Sequence, residues 1–192
     1  EKVHDEVQKD MRRATRLSKQ AILFTHQARY EEAKKLLKEA TEFFGKLHSV
    51  AETYPDMLYS GLANAAHQEY AEAQTFLSLL REDRFISLEA INVPSIDHVL
   101  GLADVIGELR RRALDSLRKG DVDTAEKCLH LMEDIYVELM AMDEAYMLVP
   151  GLRRKCDVAR KIIEITRGDI TQEIRRSKLE KYFERFEKTL KK

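Results

Sequence analysis

Two pairs of acidic residues carry the strongest chemical signal in this sequence. Glu69 and Glu72 are three positions apart, and Asp104 and Glu108 are four apart. On a helix each spacing returns to the same side one turn later. Carboxylates paired in this way supply the oxygen ligands that a hard divalent cation takes, with Mg²⁺ the best fit and Mn²⁺ the next. At about 100° per residue, Glu69 falls inside the apolar arc made by Leu62, Ala66, Ala73, Phe76, Leu77 and Leu80, and Glu72 falls at its edge. A lone carboxylate taken out of water costs several kcal/mol, so such a group must be paired, protonated or bound to a cation. In the later segment the stripe Val99, Leu102, Ala103, Ile106, Leu109, Ala113 and Leu117 does the packing, while Asp104 and Glu108 lie off it with Arg111 on their side. An arginine partner, a water-filled oligomer interior and an ordinary solvated face are the alternatives for these residues.

Other chemistries find little support. The six histidines are scattered, and the Glu-x-x-His at Glu1 to His4 has no second copy, which argues against a di-iron bundle. No G-x-x-x-x-G-K or G-x-G-x-x-G phosphate loop occurs. Cys128 and Cys156 sit in no metal-binding or redox spacing and read as small core residues.

The elements that must position the carboxylates are helices. The chain has 192 residues, about one domain's worth, so a single domain over residues 1–192 is expected. With 44% hydrophobic and 35% charged residues but only 7 Gly and 3 Pro, it lacks the turn residues of an all-β fold. Apolar periodicity places helices at about Val3 to Ala28, Tyr30 to Thr53, Ser60 to Leu80, Ile96 to Arg118, Val122 to Met142, Gly151 to Thr166 and Ile170 to Leu190. Tyr54-Pro55-Asp56 and Gly120-Asp121 act as stop and restart signals, and Arg167-Gly168-Asp169 reads as a stop followed by an N-cap. The expectation is an all-α, seven-helix bundle. No apolar run reaches a membrane span, and a cytoplasmic protein without membrane contact is expected.

Net charge is −1, from 33 basic and 34 acidic residues, so bulk charge does not announce a nucleic-acid binder. The distribution is uneven: residues 121–150 carry a net −7 and residues 151–192 a net +7. Blocks of this kind suit a polyanion site beside a metal site, and equally suit solvated helix faces of mixed sign.

In three stretches the sequence resembles the translin family, in particular its catalytic branch, translin-associated factor X. These are His67-Gln68-Glu69-Tyr70-Ala71-Glu72-Ala73, Leu100-Gly101-Leu102-Ala103-Asp104-Val105-Ile106-Gly107-Glu108-Leu109-Arg110-Arg111, and Gly120-Asp121-Val122-Asp123-Thr124. Ile165-Thr166-Arg167-Gly168 is similar to the family's penultimate helix end, and order and separation agree over roughly residues 10–170. The resemblance implies a protomer that assembles into a hollow homo-octamer, binds RNA or single-stranded DNA, and cleaves RNA with Mg²⁺. It implies that Glu69, Glu72, Asp104 and Glu108 are the catalytic and metal-holding residues. Translin proper lacks most of these acids and is a non-catalytic binding subunit. The basic stretch that translin carries before its third helix reads here Leu58-Tyr59-Ser60-Gly61-Leu62-Ala63-Asn64. RNA contacts are therefore expected from Arg12, Arg13, Arg16 and Lys19 on the first helix and Lys34, Lys35 and Lys38 on the second, with Arg111 offsetting charge at the reacting phosphate. The expected activity is endonucleolytic cleavage of RNA with single-stranded character. The rivals are a non-catalytic translin-type binder, an all-α nucleoside triphosphate pyrophosphatase, and a helical scaffold with no site.

Overall fold

The computed structural model describes residues 2–142, 146 and 148–190. Seven helices and no strand occur among them: α1 (Lys2–His26), α2 (Tyr30–Ala51), α3 (Gly61–Glu82), the single turn α4 (Leu88–Ile91), α5 (Ser95–Leu117), α6 (Val122–Ala141) and α7 (Leu152–Leu190), with a 3-10 turn at Pro55–Tyr59. Caps set several boundaries. The Ser60 hydroxyl accepts from the Ala63 N–H to start α3, and the Asp121 carboxylate accepts from the Thr124 N–H to start α6. Gly120 precedes that cap at φ +76°, a conformation that costs glycine little.

The helices are layered in the order α2, α1, α3, α5, with α6 and α7 packed on the far side of α5. α3 lies between α1 and α5 and is buried on most of its circumference, from Ala63 and Ala66 through Tyr70, Ala71 and Ala73 to Phe76 and Leu79. One continuous apolar core joins α1, α2, α3, α5, α6 and the first half of α7. At the crossing of α3 and α5 the helices touch backbone to backbone: a Cβ on Gly101 would stand 2.5 Å from the Gln68 carbonyl oxygen and 3.2 Å from the Glu72 nitrogen. Glycine is required there by the close approach.

Two expectations need correction. The Arg167-Gly168-Asp169 stretch neither stops nor caps a helix, since α7 runs unbroken from Leu152 to Leu190. A mid-helix glycine costs only about 1 kcal/mol against alanine. Here Thr166 and Ile170 on either side continue the buried stripe, and Asp169 lies 3.9 Å from Arg110 instead of capping anything. The seventh element is the short α4, not a second C-terminal helix. Beyond Ile174 the α7 stripe Leu179, Tyr182, Phe183, Phe186 and Leu190 is exposed. Among the described residues no helix is long and apolar enough to cross a membrane.

Candidate active site

The four acids predicted from the sequence sit on α3 and α5, two helices that pack directly against each other. The roles of the first pair are exchanged, however. Glu72, expected at the edge, is the buried one at 9% exposure, and the Glu69 side chain, expected inside, keeps 21%. The wheel misjudged them because α3 is covered on two sides, by α1 and α5, so its buried arc is wider than one apolar stripe and includes the Glu72 direction.

Three of the carboxylates meet basic side chains from flanking helices. Lys19 of α1 lies 3.8 Å from Glu69, His26 Nε2 at the end of α1 lies 2.5 Å from Glu108 Oε2, and Lys155 of α7 donates to Asp104 Oδ2. Arg111 adds a longer i, i+3 contact to Glu108 at 3.9 Å. For Glu72 no ion pair is found among the described residues. Its carboxyl is pushed up to about 9, first by burial and then by the charges of Asp104, Glu69 and Glu108, against which Lys155 acts weakly. Glu69 is also raised, by burial first, with Lys19 pulling it down and Asp104 and Glu108 pushing it up. The charges of Asp104 and Glu108 on α5 thus raise both carboxyls of α3 across the contact between the two helices.

Could this cluster hold a metal ion? The donor set is carboxylate oxygen throughout, which suits Mg²⁺ or Mn²⁺ and not the softer metals. A buried acid without a counter-charge is the feature a cation would satisfy. As the side chains stand, no three His, Cys, Asp or Glu among the described residues already form a metal-holding group. Asp104 and Glu108 are instead engaged by Lys155 and His26.

The predicted nucleic-acid residues divide into two sets. Arg12, Arg16 and Lys19 are exposed at i, i+4 and i+7, a line along the side of α1 that ends at Glu69. Arg111 continues the rim on α5. Arg13 turns the other way, pairing with Glu39 at 2.8 Å and lying 5.1 Å over the Phe43 ring of α2. Lys34, Lys35 and Lys38 are exposed on α2, the outer layer, and make no ion pair with the four acids among the described residues. Sequence reasoning missed His26 and Lys155. His26 had a signal, because it lies seven residues after Lys19 on the same stripe. Lys155 had none, being 51 residues from Asp104 with an ordinary helical neighbourhood.

Behind the acids a second polar group is sealed in the core. Asp97 accepts from Gln68 Nε2 at 2.9 Å and stands 3.3 Å from His67 Nδ1, whose ring stacks on Phe44. This tie fixes the residue next to Glu69 to the start of α5.

Comparison with known proteins identifies the family and the fold. The sequence profile of the Translin family matches residues 2–165. An uncharacterized protein of Methanocaldococcus jannaschii is 35% identical over 95% of this chain and 82% of its own length. Translin-associated protein X of Rattus norvegicus is 27% identical over 36% of this chain and 35% of that protein. Among solved structures, AfC3PO superimposes with a TM-score of 0.80 at 36% identity, covering 89% of each chain. The same protein in a duplex RNA complex gives 0.79 at 36% identity, over 88% of this chain and 87% of that one.

Proposed function

We propose, for a chain that belongs to the translin family, that it is a metal-dependent endoribonuclease working in the cytoplasm as an assembly of several copies. The observation that carries the reading is Glu72, a buried carboxyl at the contact of α3 and α5 that feels the charges of Asp104, Glu69 and Glu108 and has no ion pair among the described residues. Glu69, Glu72, Asp104 and Glu108 would hold Mg²⁺, or Mn²⁺ in its place. When bound, the ion polarises a phosphate and lowers the pKa of an attacking water. Around it, the chain's own cations position the RNA: Lys19, Lys155 and Arg111 meet phosphate charge at the rim, and Arg12 and Arg16 extend the track along α1. His26, its ring 4.7 Å from that of Phe76, orients the Glu108 carboxylate.

The relative AfC3PO is described with duplex RNA, so the substrate class is RNA offered either as a single strand or as a duplex. Self-association is assigned to the exposed α7 stripe, and eight copies is the number the family resemblance suggests. The test is cleavage of labelled single-stranded and duplex RNA with Mg²⁺ by Glu72→Gln, Asp104→Asn and Glu108→Gln. Each is expected to abolish cleavage while helical content and particle size stay unchanged, and cleavage retained in all three would overturn the site.

A second reading, a non-catalytic RNA or single-stranded DNA binder, is favoured by one observation: Lys19, His26 and Lys155 already satisfy three of the acids. It predicts binding of both RNA forms with cleavage of neither. No observation favours the pyrophosphatase alternative over these two.

A further inference from the structure

A groove runs between α5 and α7, directly beside Asp104. Its volume is about 330 Å³. The apolar lining is Ala103 on α5 and Val158, Ala159 and Ile162 on α7, and the charged lining is Asp104, Arg154 and Lys155, the last donating to Asp104. Gly107 leaves the α5 wall open, since a Cβ there would meet nothing within 4 Å. Val158 is 51% exposed, so the apolar lining is presented to solvent.

Three features narrow the occupant. The volume is at the small end of ligand pockets, which run from about 300 to 1,000 Å³, so it admits one ring system and not a whole oligonucleotide segment. The aliphatic part of the lining, Ala103, Val158, Ala159 and Ile162, gives a flat ring apolar contact that does not choose its identity. The cations of the lining match a flexible ligand that carries its negative charge outside the ring. Asp104 is shared, forming part of the groove and part of the acidic cluster. A ligand in the groove therefore adjoins whatever the acids act upon.

We propose that this groove seats one base of the bound RNA, the nucleoside next to the phosphodiester at the carboxylates, with its flanking phosphates on Lys155 and Arg154. The proposal rests on the nuclease reading and adds to it a subsite that grips the strand without reading its sequence. It explains why α7 begins with basic residues at Arg153, Arg154 and Lys155 and then turns apolar on the same side at Val158 and Ile162.

The experiment has two arms on the full chain. In the first, adenosine 5′-monophosphate and, separately, inorganic phosphate are titrated while the methyl resonances of Ala103, Val158 and Ile162 are followed. Saturable shifts with the nucleotide and none with phosphate are expected; no shift with either overturns the subsite. In the second, RNA lacking a base at single positions around the cleaved bond is compared with intact RNA. One position is expected to lower kcat/KM about tenfold, the effect of leaving one ring's apolar face in water. Val158→Trp, which fills the groove from an exposed position, is expected to lower kcat/KM on intact RNA by a similar factor and to lose little more on the abasic RNA. Gly107→Leu, entering from the opposite wall, should behave alike.

Abasic RNA cleaved as well as intact RNA, or a Val158→Trp protein indifferent to its own substitution, overturns the subsite while leaving the nuclease standing. Failure of the wild type to cleave any RNA overturns the nuclease reading instead, and the nucleotide titration then decides the groove alone. Dispersal of the particle by Val158→Trp would show that a second copy of the chain fills the groove, and the proposal falls.

Discussion

Gly101→Ala is the substitution that most directly tests whether the spacing of α3 and α5 matters. The new Cβ would meet the Gln68 carbonyl oxygen at 2.5 Å, the Ala71 Cβ at 3.0 Å and the Glu72 nitrogen at 3.2 Å. None of these is the free end of a flexible side chain. To reach an ordinary contact of 3.4 Å the helices must separate by about 0.9 Å. Overpacking of this size costs about 1–3 kcal/mol. The better helix propensity of alanine offsets about 1 kcal/mol of it. A net loss near 1 kcal/mol lowers Tm by about 2–4 °C in a domain of this length. Activity should suffer far more, because a misplacement of about 1 Å between reacting groups costs on the order of a hundredfold in rate. Scanning calorimetry and the kcat for labelled RNA measure the two effects. Gly45→Ala is the control: its Cβ meets nothing within 4 Å in α2, so stability should rise by up to about 1 kcal/mol with cleavage unchanged. A Gly101→Ala protein that gains stability and cleaves like wild type would refute the reasoning.

Glu72→Gln should stabilise the protein in a pH-dependent way. The carboxyl is raised in the folded state to about 9 from an ordinary 4.5, so the unfolded chain releases the proton more readily and wild-type stability falls as pH rises from about 4.5 to about 9. At pH 7 the gain in the variant is on the order of 3 kcal/mol, and below pH 4.5 it vanishes; a Tm difference independent of pH would contradict the assignment. Reversing Arg12 and Arg16 to Glu should weaken RNA binding and flatten its salt dependence by about 0.9 in log–log slope per lost phosphate contact. Arg13→Glu and Lys38→Glu, on the α2 side, should do much less, and equal effects from both sets would remove the α1 track. Phe183→Glu with Phe186→Glu should shrink the particle in light scattering with helicity retained, since both rings are exposed on one α7 stripe; an unchanged mass would move the interface elsewhere.

Helix existence was legible because it depends on local periodicity. Val7, Met11, Ala14, Leu17 and Ala21 repeat as a buried stripe, and that stripe is all α1 needs. What the sequence hid depends on the neighbours of a helix. Glu72 is buried by α5, through Gly101, and no wheel drawn for α3 alone contains that helix. The break expected at Gly168 failed for a similar reason. Arg110 reaches across from α5 to the Ile162 carbonyl and the Thr166 hydroxyl and holds α7 in register through the glycine. Lys155 is the extreme case, a residue whose role exists only because α7 returns to the side of α5 that carries Asp104.

The chemistry proposed for the site and the small residues around it have one physical origin. Four carboxylates repel, so a fold that gathers them must press two helices together by other means. Close approach is available where side chains are short, and the contact between α3 and α5 is built on Gly101 against Ala71 beside Glu72. Such residues bury little apolar area, so attraction must come from elsewhere along the same two helices. Phe76 on α3 and Ile106 and Leu109 on α5 provide it, each fully buried within two turns of an acid. The repulsion that remains is lowered in two ways: Lys19 and Lys155 pair with Glu69 and Asp104 while His26 hydrogen-bonds Glu108, and burial raises the Glu72 carboxyl so that it holds its proton. Three of the acids thus have partners, and the fourth, Glu72, is held in its uncharged form by burial.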